Sequence, residues 1–216
     1  MRILPSVVIS LILLSGCSPP LDDIQDSTCL INLKDSSGEE WMATGWVVDE
    51  DPLYYYIMSA GHLFSHVTTT PEKTHYIGAL FYKNAQSKYY KLEYVAHIFD
   101  HENNHEDLSL MRLLKEDYPF KLKSLQLAKA PPRLSEEVLT HGCPGGQYPS
   151  LQFGFIHAVE ENGFWYVPEP MGGRSGSPVL NRSGTKIYGL VLMSDGYAVN
   201  VNRIRTFLKD AIPSSP

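Results

Sequence analysis

The chain has 216 residues, 43% of them hydrophobic, and carries a formal net charge of −6. An acidic chain repels a phosphate backbone, so the composition argues against a nucleic-acid partner. A chain of this length can bury a full-sized core, either as one large β domain or as two small barrels that share an interface.

The first segment, residues 1–16, has the organisation of an export signal. Arg2 supplies a short basic start, and the apolar run from Ile3 to Leu14 is too short to span a bilayer but suits the hydrophobic region of a signal peptide. The run ends in Leu-Ser-Gly before Cys17, which resembles the bacterial lipobox, where cleavage before the cysteine accompanies lipidation of its thiol. The alternative is an ordinary signal peptide whose cleavage site contains a cysteine. Lipidation of Cys17 is the prediction.

Residues 17–27 are predicted to form a polar tether that lifts the domain off a lipid surface. Ser18 follows the cysteine where an aspartate could stand, which by resemblance to enterobacterial lipoproteins favours the outer membrane. The sequence therefore predicts a protein of the bacterial cell envelope, anchored by lipid and facing the periplasm or the cell surface.

From residue 28 onwards, short strands alternate with turns. The first half, residues 28–118, has predicted strands at 28–33, 41–48, 53–58, 75–82, 89–97 and 108–114. A proline-containing crossover, 119–132, leads to the second half, 133–216, with predicted strands at 137–141, 151–160, 164–167, 178–180 and 186–193. Residues 201–211 have the apolar spacing of a helix. The predicted fold is all-β, with two six-stranded antiparallel β-barrels and a C-terminal helix.

Three short strings carry the chemistry, and the last of them holds a candidate nucleophile. Ser175 lies in Gly-Gly-Arg-Ser-Gly-Ser-Pro. Glycines allow a tight turn there and let a substrate carbonyl approach main-chain N–H groups. The N–H groups of Gly173 and Ser175 are the predicted oxyanion hole. For this string alone, a glycine-rich turn with an incidental serine is the alternative.

A serine hydroxyl needs a base within reach and a third group that holds the base. His62 ends the string Met-Ser-Ala-Gly-His after a β-rich run, and is the candidate base. Asp107 directly precedes the apolar string Leu-Ser-Leu-Met-Arg-Leu and is the candidate orienting acid. Its competitors are Asp100, Glu102 and Glu106, none of which adjoins the apolar strand.

The order of histidine, aspartate and serine, together with the three strings, resembles the chymotrypsin (trypsin-like) family. The match is nearest to the bacterial branch that includes glutamyl endopeptidases and the HtrA protease domain, and it covers residues 29–211. It implies a chymotrypsin-like fold and a serine endopeptidase that cleaves protein or peptide substrates through an acyl-enzyme, without a cofactor. Arg174 stands where animal digestive enzymes have the aspartate that captures a freed N-terminus, so the resemblance implies that this activation device is absent.

The substrate pocket is the least defined part of the resemblance. Glu169 lies at the offset of the trypsin pocket acid and could select Lys or Arg, although a solvent-facing acid in a remodelled loop is the preferred interpretation. Val191, Met193 and Ser194 complete the predicted pocket, which would accept apolar side chains. Leu192 replaces a serine that often contacts the catalytic aspartate in trypsins.

Two further groups of residues have open interpretations. Cys29 and Cys143 could pair in an exported protein or remain separate buried thiols. His97, His101 and His105 are spaced by four with acids among them, so one helix face could bind a metal. The two asparagines within this segment favour a loop, and no metal site is predicted.

These observations lead to the hypothesis of a lipid-anchored serine endopeptidase. The alternative from another class is a catalytically silent module that keeps the barrels and the cleft and binds a peptide or a cell-envelope partner. The undefined pocket and Leu192 favour the silent module. The presence of all three candidate triad residues favours the enzyme.

Overall fold

The computed structural model describes residues 21–35, 37–65, 74–82, 88–100, 106–192 and 195–212. Several sequence predictions therefore lie outside the described residues: the signal segment, Cys17, His101, His105, Met193 and Ser194. Within the described ranges, no helix is long and apolar enough to cross a membrane.

The first sheet contains seven strands, all paired antiparallel: β1 (Thr28–Asp35), β2 (Glu40–Glu50), β3 (Tyr54–Ser59), β4 (Thr74–Phe81), β5 (Tyr89–Lys91), β6 (Glu93–Phe99) and β7 (Asp107–Leu114). Their order is β5-β4-β1-β2-β3-β7-β6. The predicted strand 89–97 is divided at Leu92, because β5 pairs with β4 while β6 pairs with β7. This division gives seven strands where six were predicted.

The second sheet is a closed barrel of six strands: β8 (Glu137–Gly142), β9 (Ser150–Val159), β10 (Gly163–Val167), β11 (Pro178–Asn181), β12 (Ile187–Val191) and β13 (Tyr197–Asn200). Their order around the barrel is β10-β13-β12-β11-β8-β9. Strand β13 was not predicted. The predicted all-β, two-barrel architecture is otherwise confirmed, with the seven-stranded sheet as a half-barrel, called the first barrel below, and the closed sheet as the second barrel.

Strands β3 and β7 are buried on both faces, because the second barrel covers the outside of the first. Ile57 and Met111 face the core of the first sheet. Met58 and Leu110 face a second cluster, which also contains residues of the second barrel, including Leu139. Since successive side chains of a strand point to opposite faces, burial of both faces explains why neighbouring residues are both apolar, as in Ile57–Met58 of β3 and Leu110–Met111 of β7.

The C-terminal helix α2 (Val201–Ala211) follows β13 directly. The side chain of Asn200 accepts hydrogen bonds from the N–H groups of Asn202 and Arg203, which caps the first turn. Ile204 and Phe207 are buried in the cluster between the barrels. The helix therefore packs against both halves of the chain, as its predicted apolar spacing requires.

Residues 21–27 differ from the predicted tether, because they form a short helix, α1 (Leu21–Ser27), that packs on the barrels. Ile24 is fully buried in the cluster between the barrels. The Ser27 hydroxyl donates to the Lys123 carbonyl at 2.5 Å, and the Lys123 ammonium pairs with Asp23 at 2.7 Å. One apolar residue and two polar contacts thus attach a polar segment to the domain.

Cys29 and Cys143 are both buried and both free. Cys29 faces the core of the first sheet, whereas Cys143 packs against Leu30 and Leu80. Because Cys29 and Leu30 are neighbours on β1, they point to opposite faces of the sheet. Burial raises the pKa of the Cys143 thiol to about 12. The two cysteines are therefore separate buried thiols, which is one of the two interpretations left open by the sequence.

We predict that Ile24→Ala lowers the free energy of unfolding by about 2–4 kcal/mol, since it removes a fully buried aliphatic side chain. Urea unfolding monitored by tryptophan fluorescence measures the loss. Leu21→Ala, in the same helix but exposed, is the control and should cost less than about 1 kcal/mol. Equal and small losses in both variants would contradict a docked helix.

Candidate active site

Two hydrogen bonds join His62 to the side chain of Asp107. Asp107 is the first residue of β7 and is only 3% exposed. One carboxylate oxygen accepts from the backbone N–H of His62 at 2.7 Å, and the other lies 2.7 Å from the imidazole Nδ1. Because a single carboxylate binds both the backbone and the ring, it fixes the position of the histidine and the orientation of its imidazole.

His62 reaches the Asp107 carboxylate because the backbone at Gly61 lies very close to the backbones of β6 and β7. His62 lies in a 3-10 turn that follows β3 and begins at Gly61. A Cβ at Gly61 would lie 2.1 Å from the carbonyl oxygen of Ile98 and 2.9 Å from the backbone nitrogen of Leu108. Both neighbours are backbone atoms that cannot rotate away. Glycine is therefore required directly before His62, because any side chain would push the turn away from β7.

The competing acids have other positions. The Glu106 carboxylate pairs with Arg203 of α2 at 2.5 Å. The backbone N–H of Asp100 donates to the Glu106 carbonyl at 3.0 Å. Glu102 lies outside the described residues. Asp107 is the acid that the structure places on His62.

Ser175 lies in a loop that contacts the chain just before His62. The next residue, Gly176, has a positive φ of 86°, and a Cβ there would lie 2.1 Å from the Thr44 carbonyl oxygen and 3.1 Å from the Ala60 nitrogen. The Ser175 hydroxyl donates to the Leu192 carbonyl at 2.9 Å, which is its one hydrogen bond among the described residues. The loop is thus held beside the base, while the hydroxyl is directed at Leu192, the residue after β12.

Thr44 of β2 connects the two barrels at this loop, and sequence analysis missed it. Its N–H donates to the Ser175 carbonyl at 2.8 Å, and its hydroxyl donates to the Gly173 carbonyl at 3.0 Å. The same hydroxyl accepts from the N–H of Cys143 at 2.9 Å. Thr44 is fully buried. The only sequence signal was a hydroxyl residue in an otherwise apolar strand, which is too common to indicate a function.

Each predicted oxyanion-hole N–H belongs to a peptide group whose carbonyl accepts a hydrogen bond, and this bond fixes the peptide group. The Gly172 carbonyl accepts from Gly145 N–H at 2.7 Å, and the Arg174 carbonyl accepts from Ser177 N–H at 2.8 Å. Since a trans peptide directs its N–H away from its carbonyl, these bonds orient the N–H groups of Gly173 and Ser175. Within the described ranges, neither N–H has an acceptor.

Arg174, between those two donors, is 4% exposed. Its guanidinium donates to the hydroxyl of Thr140 at 3.3 Å and to that of Ser150 at 2.6 Å. Burial lowers the pKa of this guanidinium. Sequence analysis noted the position but expected no particular environment for the side chain.

The predicted pocket residues lie in different environments. Glu169 is exposed, with its backbone carbonyl accepting from the Gln152 amide at 3.1 Å. Val191 is fully buried in the core of the second barrel, next to Tyr166 in that cluster. The side chain of Leu192 packs in the cluster between the barrels, while its carbonyl accepts from Ser175. The composition of the pocket stays a prediction, because Met193 and Ser194 are not described.

His97, the described member of the histidine series, has local partners. Its Nδ1 lies 2.8 Å from the Tyr94 hydroxyl, and its ring stacks on Phe64 with centroids 5.5 Å apart. No group of three metal-binding side chains occurs among the residues that the structure describes.

The arrangement combines an oriented imidazole, a hydroxyl in the adjacent loop and two N–H groups for which the described residues provide no acceptor. An imidazole held at Nδ1 leaves Nε2 for proton transfer. Two converging N–H groups can stabilise a developing negative charge. These parts match the requirements of nucleophilic acyl transfer.

Comparison with protein families gives one match. The model of the trypsin-like peptidase domain matches residues 43–190, which is more than half of the chain. The matched range includes His62, Asp107 and Ser175. No match was found among curated proteins.

Solved structures resemble the chain in fold. The Rv3671c protease of M. tuberculosis in its active form has a TM-score of 0.68 and 15% identity, over 91% of this chain and 85% of that one. Deg5 has a TM-score of 0.68 and 13% identity, over 86% of this chain and 88% of that one. A serine endoprotease from Yersinia pestis has a TM-score of 0.66 and 14% identity, over 88% of this chain and 64% of that one. At these identities, the likeness supports the fold.

The buried His141 predicts a dependence of stability on pH. Its side chain is 5% exposed, and its Nδ1 has no hydrogen-bond partner in the described part of the chain. Burial, and then the positive charge of Arg174, lower the pKa of His141 to about 4. In the unfolded chain the pKa of His141 is about 6.5. Between this pH and pH 4, the imidazole is therefore protonated in the unfolded state and neutral in the folded state.

The free energy of unfolding should therefore fall by up to about 3 kcal/mol as the pH drops from 6.5 to 4. His141→Gln should remove this part of the dependence, as measured by urea unfolding across that range. The exposed His157→Gln is the control and should keep it. An unchanged slope in His141→Gln would contradict the assignment.

Proposed function

The chain belongs to the trypsin-like peptidase domain family, and on that premise we propose that it is a serine endopeptidase. The proposed nucleophile is Ser175, the general acid and base is His62, and Asp107 orients the histidine. The observation that carries the proposal is the pair of 2.7 Å contacts between Asp107 and His62, with the Ser175 loop packed beside them.

The proposed reaction follows from these positions. The Ser175 oxygen attacks the carbonyl carbon of a peptide bond while Nε2 of His62 takes the hydroxyl proton. When the C–N bond breaks, His62 returns this proton to the leaving amine. Water, deprotonated by His62, then attacks the acyl carbon, and His62 returns this proton to the Ser175 oxygen as its bond to the acyl group breaks. The buried Asp107 carboxylate stabilises the imidazolium that forms in both steps.

The N–H groups of Gly173 and Ser175 are proposed to bind the oxyanion. Each such donor contributes about 3–4 kcal/mol to transition-state stabilisation in related sites. They suit this role because their peptide groups are fixed and the described residues offer them no acceptor. A substrate oxygen would supply the acceptor that they lack.

The Ser175 hydroxyl must turn from the Leu192 carbonyl to His62 before it reacts. Breaking one neutral hydrogen bond costs about 1 kcal/mol, which substrate contacts can offset. The observed bond to Leu192 adds to the features that favour the silent binding module, since that module would not need to move the hydroxyl.

We also propose that the substrate is a protein or peptide and that Cys17 anchors the protein by lipid in the bacterial cell envelope. The support for the anchor is the apolar run of residues 3–14 followed by Leu-Ser-Gly-Cys. No cofactor takes part in the proposed reaction. Glu169, Val191, Met193 and Ser194 remain the proposed pocket residues.

We predict that Ser175→Ala lowers peptidase activity at least 10³-fold without lowering the unfolding temperature, because it removes the nucleophile and leaves the loop contacts. The full chain, purified in detergent, would be treated with a fluorophosphonate probe and with casein. The wild-type protein should be labelled on Ser175 and should cleave casein.

Ser177→Ala is the matched control, since Ser177 lies in the same loop and its buried hydroxyl has no partner among the described residues. This variant should be labelled like the wild type. Labelling that persists in Ser175→Ala would exclude Ser175 as the nucleophile. A folded wild type that neither labels nor cleaves would favour the silent binding module.

For the anchor, we predict that the full chain expressed in a Gram-negative bacterium incorporates radiolabelled palmitate and fractionates with membranes. Cys17→Ser should abolish incorporation, because the thiol is the group to which the acyl-bearing lipid is attached. Cys143→Ser should retain it, since that thiol is buried in the folded domain. A wild type without label would contradict lipidation.

A further inference from the structure

Arg174 is a buried cation with no carboxylate partner among the described residues. It is 4% exposed, and no ion pair involves its guanidinium. Its partners are two neutral hydroxyls, on Thr140 and Ser150. Taking a charge out of water costs several kcal/mol, which two neutral hydrogen bonds only partly offset. A neutral side chain of similar length would fill this space at a lower cost.

The side chain connects the loop to two neighbouring strands. Thr140 lies within β8, where it pairs with Val179 of β11, and Ser150 is the first residue of β9. These strands belong to a closed barrel, so their relative positions are fixed. Only a planar fork such as guanidinium can donate to both hydroxyls from one side chain in a fixed direction.

The backbone of Arg174 separates the two proposed oxyanion donors. The N–H of Gly173 belongs to the peptide before Gly173, and the N–H of Ser175 to the peptide after Arg174. Rotation at Arg174 therefore changes the angle between the two donors. Thr44 holds the carbonyls of Gly173 and Ser175 from the first barrel. A restraint on the residue between them must come from the second barrel, which is where the guanidinium is bound.

We propose that Arg174 is a positioning residue that sets the oxyanion hole by fixing the loop to β8 and β9 through Thr140 and Ser150. This role rests on the proposed endopeptidase activity. The restraint is a permanent part of the chain, so the site is set without a newly generated N-terminal ammonium. A charged side chain is buried at this position because the planar guanidinium that carries the charge is also the group that reaches both hydroxyls.

The test is Arg174→Met, which keeps most of the volume and removes every donor, with Arg174→Lys as a charged side chain that lacks the fork. Arg182→Met is the matched control, because Arg182 lies in the same barrel but is exposed and pairs with Glu137. The full chain in detergent would be assayed for kcat and KM on a peptide substrate, for the rate of fluorophosphonate labelling and for unfolding temperature.

We expect kcat of Arg174→Met to fall at least tenfold with KM within threefold of the wild type, since only transition-state contacts are misplaced. The labelling rate should fall in the same proportion. Arg174→Lys should lie between wild type and Met, and Arg182→Met should match the wild type. If Arg174→Met lowers only the unfolding temperature and keeps its kcat per folded molecule, the side chain is structural and the proposal is wrong.

Thr140→Val and Ser150→Ala keep the proposal testable if Arg174→Met does not fold. Each removes one hydroxyl and should lower kcat about two- to fivefold, and the double variant should lower it more. An unchanged kcat in the double variant would overturn the proposal.

Amide hydrogen exchange separates this proposal from the proposed function. Faster exchange of residues 172–177 in Arg174→Met than in Arg182→Met is expected, whether or not the wild type cleaves peptides. If the wild type neither labels nor cleaves, the endopeptidase assignment fails while the exchange result still reports on the restraint. Equal exchange in the two variants would overturn the restraint itself.

Discussion

The hydrogen bonds of Thr44 are the constraint on which the candidate site depends. One half of the site, His62 with Asp107, belongs to the first barrel, and the other half, the Ser175 loop, belongs to the second. Thr44 is a first-barrel residue that binds the loop through its N–H and its hydroxyl. The close contact at Gly176 shows how little space remains between the halves. Any relative movement of the barrels would separate base from nucleophile, so the interface between them is part of the site.

The site lies between two buried groups of opposite charge. In the first barrel, the Asp107 carboxylate has a cationic partner once His62 is protonated. In the second, the Arg174 guanidinium donates to two neutral hydroxyls. Both groups act on a neighbour: the carboxylate orients an imidazole, and the guanidinium adds to the effect of burial, which is the main cause of the lowered pKa of His141. Burial makes both interactions stronger than they would be in water.

Sequence patterns predicted the parts of the chain whose structure is set locally. Alternating and apolar runs identified most strands, and the glycine before His62 and the apolar start of β7 identified which histidine and aspartate meet. What the sequence could not predict depends on distant partners. Helix α1 is stable because Ile24 enters a cluster formed by other strands. Strand β13 has four residues and is defined by its neighbours β10 and β12. The burial of Arg174 could not be predicted either, since charged residues seldom lie inside a barrel and its hydroxyl partners are distant in the chain.

The docking of α1 on the barrels limits how far the domain could lie from a membrane to which Cys17 is anchored. The chain becomes part of the domain at Leu21, only four residue steps after Cys17. Fully extended, four steps reach at most about 14 Å. With a lipid on Cys17, the domain would therefore lie close to the bilayer surface, because the linker is too short to let it move far away. Its cleft would reach only substrates in a thin layer next to the membrane.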